Sequence, residues 1–199
     1  AHEGLSVFSP NFITKNIFQA SVSVITASIA NNVKKFVFCS SMARYGNQKT
    51  PYTEIMETKP EDPYGIAKVA AEDTLKLLSN VHGMDYNIAI PHNIVGPNQK
   101  YDDPFRNVMS IFINRNLQSK PSIIYGDGLQ TRCFSYIDDV IFCLEKLALD
   151  KNINKEIGKA KTLVEKRLEK RIPKDKFLKE YSKINQKLTS ALKLSLIHI

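Results

Sequence analysis

Several features that would place this chain in a membrane or outside the cell are missing from its sequence. No apolar run is long enough to span a bilayer, and no secretory signal pattern stands at the start. The 3 cysteines, Cys39, Cys133 and Cys143, have no metal-ligand spacing and form no even set. Unpaired cysteines are typical of small buried apolar side chains in a reduced compartment. We therefore expect a cytoplasmic protein without a metal site.

An excess of one charge sign is also missing from most of the chain. Residues 1–154 contain 15 Lys and Arg and 15 Asp and Glu, whereas residues 155–199 contain 13 basic and 5 acidic residues. The net charge of +8 therefore belongs entirely to the tail. Because the larger part of the chain is balanced, we predict that neither nucleic acid nor a membrane is its partner. Its composition, 43% hydrophobic and 24% charged, is that of a globular protein.

The most informative stretch begins with a predicted strand. Phe36–Cys39 is a continuous apolar run of the length and composition of a strand that is buried on both faces. It is followed by two hydroxyl side chains, Ser40 and Ser41. A parallel strand delivers the side chains at its carboxyl end to a crevice at the sheet edge. The two hydroxyls are therefore candidates for a site.

A helix predicted after a polar loop supplies two further groups to this crevice. Asp62-Pro63-Tyr64 has the pattern of an N-cap followed by a first helical turn. Tyr64 and Lys68 then stand at i and i+4 and share one face of the helix. A free phenol has a pKa of roughly 10, and a nearby ammonium is expected to lower it. Together with Ser41, these groups form a site suited to removing a proton from an alcohol.

These residues resemble the motifs of the NAD-dependent epimerase/dehydratase family, a branch of the extended short-chain dehydrogenases/reductases. That family carries an active-site Ser/Thr, a Tyr-x-x-x-Lys and a strand-end SS-x-x-x-YG, which here are Ser41, Tyr64–Lys68 and Ser40–Gly46. A second segment, Gln130–Val140, is similar to the family's GDG-x-x-x-R-x-F-x-x-[VI]-x-D. The resemblance implies an α/β fold: the C-terminal half of a doubly wound Rossmann-type parallel sheet with part of a smaller substrate lobe.

The resemblance also implies roles for individual residues. Ser41, Tyr64 and Lys68 correspond to the family's catalytic residues, and NAD is the implied cofactor. The implied cofactor contacts are Asn16, Ser40, Tyr64, Lys68 and His92. For Asn16, a surface position on its helix is an equally good interpretation. For His92, an ordinary packing or loop histidine is a better interpretation than a general acid.

A further set of residues is implied to bind a nucleotide-diphosphate sugar. It comprises Ser41, Asn93, Asn107, Val108, Tyr125 and Arg132. Arg132 is the natural diphosphate anchor, because a guanidinium fork matches phosphate oxygens and keeps its charge when buried. Tyr125 would stack on the nucleotide base, although a half-buried strand tyrosine is nearly as good an interpretation.

The family's glycine-rich phosphate turn has no counterpart here. The chain starts at Ala1, and none of its 8 glycines falls into such a fingerprint. We therefore expect that the chain lacks its N-terminal half-domain. We assign residues 1–154 to a partial Rossmann-type domain, with a substrate-lobe insertion at about 97–130, and residues 155–199 to a basic helical tail.

The tail allows three interpretations. Its two Lys-rich amphipathic stretches, split by Pro173, are typical of solvated helices, and a basic interaction module is a weaker alternative. The third is that the tail is not native, since Leu194–Ile199 looks like the translation of a transposase library adapter.

Periodicity predicts the remaining elements. Helices are predicted over residues 11–32, 64–81 and 105–116. The first has an apolar stripe formed by Ile13, Ile17, Ala20, Val24 and Ala27. A fourth helix is predicted to end at Leu149 and to be capped by Asp138 or Asp139. Strands are predicted over 85–90 and within 122–128, with 91–97 as a loop. Because members of the family often dimerise through the two long helices, a homodimer is expected by resemblance.

The residues after Ser41 select among the family's reactions. Dehydratases and decarboxylases of this family carry acidic residues there, and 3,5-epimerases a cysteine, but here Met42 and Ala43 cannot carry protons. The interpretation that remains is a UDP-glucose 4-epimerase-like reaction. In it Tyr64 removes the proton from the sugar 4-hydroxyl as NAD oxidises C4, and the 4-keto sugar is reduced again on its other face. The alternative is a catalytically inactive fragment or a sugar-nucleotide-binding protein.

Overall fold

The computed structural model describes residues 3–105, 107–124 and 126–150. Its helices are α1 (Glu3–Ser6), α2 (Pro10–Thr14), α3 (Ala20–Ala30), α4 (Pro63–His82), α5 (Val108–Leu117) and α6 (Ile137–Leu149). Its strands are β1 (Lys35–Cys39), β2 (Asp85–Ala89), β3 (Ile94–Val95) and β4 (Ser135–Tyr136). A π-helical turn (Lys15–Gln19) joins α2 to α3, and a 3₁₀ turn (Met42–Tyr45) follows β1. The predicted tail, residues 155–199, lies outside the described residues.

The strands pair in parallel, as the predicted α/β class requires. β1 pairs with β2 in a register that sets Lys35 opposite Asp85 and Cys39 opposite Ala89, and α4 forms the crossover between them. β3 pairs with β4, with Ile94 opposite Ser135. The prediction of a plain loop over 91–97 is therefore wrong, because two of its residues find a partner strand that is distant in the sequence.

The β1–β2 sheet is covered on both faces. On one face, Phe38 and Ile88 pack with Ile25 of α3 and Leu75 of α4 in the main hydrophobic core. On the other face, Ala89 packs against Leu147 of α6, with Val37 beside them. Phe36 and Phe38 thus pack on one face and Val37 on the other, which explains why this part of the strand is continuously apolar, whereas Cys39 at its end is exposed.

The π-helical turn changes which side of the first long helix is buried. The predicted stripe includes Ile17 and Val24, but Val24 is 56% exposed, whereas Ile25 is fully buried. A π turn holds more residues than an α turn, so the residues beyond it move round the helix axis. The core side therefore runs from Ile13 to Phe18, Ile25 and Ile29. The prediction of the helix holds, and its predicted stripe is wrong beyond the turn.

Two predicted helix starts also differ from the structure. α5 begins at Val108 rather than 105, because the Asn107 side chain accepts the Met109 amide at 2.9 Å and caps the helix. The N-cap of α6 is Tyr136, so the predicted cap at Asp138 or Asp139 is wrong. Both carboxylates lie in the first turn instead, where the helix dipole favours negative charge.

The strand predicted within 122–128 is not formed by residues 122–124, the part of its apolar run that the structure describes. Ile123 and Ile124 are exposed there. An apolar run becomes a strand only where a neighbouring strand can satisfy its backbone, and none of the described strands pairs with it. Among the described helices, none is both long and apolar enough to cross a membrane.

Candidate active site

The carboxyl end of β1 turns directly into the 3₁₀ turn. The Ser40 amide continues the ladder by donating to the Ala89 carbonyl oxygen at 2.8 Å. Ser41 is extended, with φ −147° and ψ 155°, and its hydroxyl oxygen accepts the Ala43 amide at 3.2 Å as the N-cap of the turn. The chain thus leaves the sheet with Ser41 at its edge.

The start of α4 packs closely against this turn. Asp62 is the N-cap, as predicted, and its carboxylate accepts the Gly65 amide at 2.8 Å, with Pro63 in the first helical turn. A Cβ at Gly65 would lie 2.8 Å from the Ala43 carbonyl oxygen, which is closer than any side chain tolerates. The absence of a side chain at Gly65 therefore allows the helix to approach the 3₁₀ turn and brings Tyr64 to Ser41.

The structure brings together Ser41, Tyr64 and Lys68, which we call the catalytic trio after the role that the family resemblance implies. The Ser41 hydroxyl lies close enough to the Tyr64 phenol to lower the pKa of that phenol. The Lys68 ammonium lies 5.8 Å from the centre of the Tyr64 ring and donates to the Cys39 carbonyl oxygen at 2.8 Å. A serine from the strand end and two residues from one helix face therefore meet at the edge of a parallel sheet, as the sequence predicts.

The protonation of the catalytic trio differs from the expectation. Burial raises the pKa of Tyr64 above its ordinary value of 10; the Ser41 hydrogen bond lowers it, and the negative charges of Glu3 and Asp62 raise it further. Burial likewise lowers the pKa of Lys68. The predicted lowering of the Tyr64 pKa is therefore wrong for this state of the site, because burial is the largest cause acting on the phenol and raises its pKa.

Ser40 has a different place from the one predicted. Its side chain is buried, and its hydroxyl donates to the Glu72 carboxylate inside the protein rather than facing the crevice. The predicted placement of this hydroxyl is therefore wrong, because a strand directs successive side chains to opposite sides. A cofactor contact from Ser40 stays a prediction.

Sequence reasoning missed a buried ion pair beneath the catalytic trio. Arg44 Nη1 lies 2.9 Å from Glu72 Oε2, and the two side chains are 4% and 0% exposed. The sequence held a signal for this pair: Glu72 follows Lys68 at i+4 and lies next to Ala71 in the apolar stripe of α4. A carboxylate at the border of such a stripe has to find a buried partner.

The other predicted cofactor contacts lie in different surroundings. Asn16 is in the π-helical turn, and its amide nitrogen donates to the Phe12 carbonyl oxygen of the same helix at 2.8 Å. His92 follows β2 and is half-buried, and burial lowers its pKa. An imidazole with a lowered pKa is neutral at pH 7. The cofactor roles of both residues stay predictions.

The predicted substrate residues surround the β3–β4 pair. Asn93 Nδ2 donates to the Cys133 carbonyl oxygen at 2.9 Å, and Asn107 caps α5. Val108 and Arg132 are exposed, and the Arg132 guanidinium contacts the Thr131 carbonyl oxygen at 3.0 Å. Tyr125 lies outside the described residues. The two asparagines hold the backbone in place here, and their contacts to substrate stay predictions.

The chemistry of the catalytic trio fits a nicotinamide cofactor. A buried phenol and an ammonium stand at the carboxyl edge of a parallel sheet, which is where open α/β sheets bind dinucleotides. Tyr64 and Lys68 are the residues that would contact the nicotinamide. Among the described residues, no group of three His, Cys, Asp or Glu side chains could hold a metal ion.

Comparison with curated proteins finds relatives that act on nucleotide sugars. The chain is 33% identical over 149 residues to a putative UDP-glucose 4-epimerase of Methanocaldococcus jannaschii, covering 70% of this chain and 48% of that protein. It is 34% identical over 150 residues to a UDP-N-acetyl-alpha-D-glucosaminuronate decarboxylase of Bacillus cytotoxicus, covering 72% of this chain and 43% of that protein. The chain thus spans about half the length of the curated relatives it matches.

Solved structures give the same result. A UDP-glucose 4-epimerase of Thermotoga maritima with UDP-glucose superposes with a TM-score of 0.73 at 32% identity, covering 78% of this chain and 50% of that one. A UDP-glucuronic acid 4-epimerase of Bacillus cereus, in complex with UDP-glucuronic acid and NAD, has a TM-score of 0.65 at 29% identity over 72% of this chain and 46% of that one. Residues 1–158 match the model of the NAD dependent epimerase/dehydratase family. With the catalytic trio at the sheet edge, these matches establish that the chain belongs to the NAD-dependent epimerase/dehydratase family, whose cofactor is NAD.

Proposed function

We propose that the protein is an NAD-dependent nucleotide-sugar 4-epimerase of the UDP-glucose 4-epimerase type. The observation that carries this proposal is the convergence of Ser41, Tyr64 and Lys68 at the carboxyl edge of a parallel sheet. The names of the relatives support it, since UDP-sugar 4-epimerases recur among them. The same family also contains decarboxylases, so the choice of reaction rests on the residues of this chain.

Met42 and Ala43 favour epimerisation over reactions that need a further acid. Both residues follow Ser41 in the 3₁₀ turn, beside the site of proton transfer. Neither a thioether nor a methyl group can give or take a proton at neutral pH. A dehydration would require such a group to expel water. Oxidation and re-reduction at one carbon require only one proton-transfer group, which Tyr64 supplies.

The side chains of the catalytic trio have separate tasks in this proposal. Tyr64 takes the proton of the sugar 4-hydroxyl and later returns it, while Ser41 donates a hydrogen bond to the same oxygen. Bound NAD would act as acceptor and donor of hydride, and its oxidised ring is cationic. A positive charge beside Tyr64 lowers the phenol pKa, which burial alone raises. Lys68 contributes its own charge and holds the strand end through the Cys39 carbonyl oxygen.

The β3–β4 side of the site is proposed to bind the nucleotide diphosphate. Arg132 is exposed and carries a guanidinium that can take two phosphate oxygens at once. Asn107 and Val108 at the start of α5 are proposed to lie along the nucleotide. The nucleotide does not react, so the free energy of its binding can hold the 4-keto sugar while the hexose turns over.

We also propose a homodimer through α3 and α4. A shallow, mostly apolar groove runs between these helices, lined by Phe18, Val22 and Ala27 from the first long helix and Thr74 from α4. Leu77 and Val81 of α4 are exposed as well. A second copy of the same pair of helices would cover these apolar side chains. Sedimentation of the protein as a monomer at micromolar concentration would argue against this dimer.

The reaction can be tested directly on the native gene product. With NAD and UDP-glucose, we expect UDP-galactose to form, and chromatography of the nucleotide sugars measures its formation. Tyr64→Phe should lower kcat by about 10²-fold or more, as for loss of a general base, while calorimetry shows nearly unchanged binding of the nucleotide sugar. Val69→Ala, a neighbouring change on α4 outside the catalytic trio, is the control. Full activity of Tyr64→Phe would contradict the proposed role. Tight binding without turnover by the unsubstituted protein would favour the alternative of a nucleotide-sugar-binding protein.

A further inference from the structure

Beneath the catalytic trio, a carboxylate without any solvent exposure joins three segments of the chain. Glu72 belongs to α4, Ser40 to the end of β1 and Arg44 to the 3₁₀ turn. Ser40 donates to one carboxylate oxygen, and Arg44 Nη1 approaches the other at 2.9 Å. Lys76, partly exposed, lies 3.9 Å from the second oxygen. The segments that meet at Glu72 are the same ones that carry Ser41, Tyr64 and Lys68.

Glu72 lies on the same face of α4 as Tyr64 and Lys68 of the catalytic trio. Tyr64, Lys68 and Glu72 follow one another at intervals of four residues, so they form one row along the helix. Ser40 is the direct neighbour of Ser41. A hydrogen bond to Ser40 therefore restrains the backbone from which the Ser41 side chain starts.

Arg44 connects the carboxylate to the other side of Ser41. Its amide donates to the Ser41 carbonyl oxygen at 3.2 Å, and its own carbonyl oxygen accepts the Lys59 amide at 2.8 Å. The Arg44 guanidinium is 4% exposed and forms an ion pair with the fully buried Glu72 carboxylate without hydrogen-bond geometry, so charge attraction in a buried site holds the turn against α4. Ser41 is thus held from the residue before it and from the turn after it, and both restraints end on Glu72.

We propose that Glu72 is the positioning residue of the catalytic trio: through Ser40 and Arg44 it holds Ser41 against Tyr64, and its negative charge acts on Lys68, which lies one turn before it on α4. This inference rests on the proposed function and adds a residue to it. A stabilising role alone does not account for the arrangement, because a buried ion pair is often no more stabilising than well-packed apolar side chains of similar volume. The attraction between opposite charges on the 3₁₀ turn and on α4 is what an apolar pair cannot supply.

The charge of Glu72 also acts on Lys68. Burial lowers the pKa of Lys68, and the electrostatic effects of Cys39 on β1 and Glu72 on α4 raise it again. The groups acting on Tyr64 are different: the Ser41 hydroxyl, Glu3 of α1, Asp62 at the start of α4 and Cys39. Removing the charge at Glu72 should therefore lower the pKa of Lys68 in particular, so that its ammonium is lost at lower pH.

Three variants separate positioning from folding. Glu72→Gln keeps the shape and a hydrogen-bond acceptor but removes the charge. The double variant Arg44→Met and Glu72→Leu removes both charges together, so that neither remains buried without its partner. Asp73→Asn is the matched control, because this neighbouring carboxylate is exposed and pairs with Lys76 at 2.9 Å.

The first measurement needs neither substrate nor turnover. The lysines are ¹³C-methylated, and the Lys68 signal is assigned by its loss in Lys68→Arg and titrated by NMR. We expect a lower Lys68 pKa in Glu72→Gln and an unchanged one in Asp73→Asn. An unchanged Lys68 titration in Glu72→Gln would overturn the role of Glu72, even if the protein proves to be an epimerase.

The second measurement separates kcat from KM. The double variant should fold, as judged by circular dichroism, and lose about 10²-fold in kcat, which is the cost of a misplaced catalytic group, with KM nearly unchanged. In Glu72→Gln, the alkaline limb of the kcat–pH profile should move to lower pH.

Full kcat in the double variant would overturn the proposal. So would failure of both variants to fold, since Glu72 would then serve stability. Absence of turnover in the unsubstituted protein would instead contradict the proposed function, while the Lys68 titration still decides on Glu72.

Discussion

The two sides of the candidate site are built differently. The side that carries Tyr64 and Lys68 stands on a sheet whose two faces are both covered, and beneath it lies the buried Glu72–Arg44 pair. The side that carries Arg132 stands on two strands of two residues each, and its candidate binding residues are largely exposed. Proton transfer requires atoms held within a fraction of an ångström, whereas recognition of a long ligand can be completed when the ligand binds. The comparison thus separates a preorganised side, proposed for catalysis, from an open side, proposed for binding.

The largest expected difference between the two sides is in their contribution to stability. Leu75→Ala on the catalytic side should lower the free energy of unfolding by about 2–5 kcal/mol, because it leaves a cavity in the main core. Leu117→Ala at the end of α5 should change it by less than about 0.5 kcal/mol. Leu75 is fully buried, and Leu117 is 81% exposed. Urea unfolding measures both, and equal effects would show that the two sides do not differ in packing.

A second test concerns binding on the open side. Arg132→Ala should weaken nucleotide-sugar binding by about 1.5–3 kcal/mol, the range for hydrogen bonds to a charged group, and so raise KM roughly tenfold to a hundredfold. Because Arg132 is exposed, the free energy of unfolding should hardly change. Arg132→Lys keeps the charge without the planar fork, so its KM should lie between those of the unsubstituted protein and Arg132→Ala. Unchanged KM in Arg132→Ala would remove this residue from the binding side.

The smallest expected effect is a pH shift on the catalytic side. Tyr64 must lose its proton to act as a base, so the rate rises with pH up to the Tyr64 pKa. The negative charge of Asp62 raises that pKa, as do Glu3 and Cys39. Asp62→Asn removes one charge but keeps an efficient N-cap. The acid limb of the kcat/KM–pH profile should therefore move to lower pH, with less than about a tenfold change in rate at any fixed pH. A shift to higher pH would contradict the assignment of Tyr64 as the base.

Sequence patterns predicted the catalytic side better than the binding side. The strand ending at Cys39, the N-cap at Asp62 and the row of Tyr64 and Lys68 follow from local rules of strand alternation, capping and helical spacing. These rules could not predict the π-helical turn. The apolar residues of the first long helix also fit regular α-helical spacing, so the sequence pattern does not reveal the inserted residue. The β3–β4 pairing was likewise beyond these rules, since two-residue strands carry no periodicity.

What the sequence determined by itself is the family and the candidate reacting groups. A strand end with two serines, a Tyr-x-x-x-Lys on a capped helix and the segment around Arg132 contain that information in short local spacings. Only the tertiary structure decided what surrounds these groups: that the Ser40 hydroxyl faces inward to Glu72, and that desolvation raises the Tyr64 pKa despite the nearby ammonium of Lys68. Burial and charge depend on every segment packed around a side chain, and those segments are distant in the sequence.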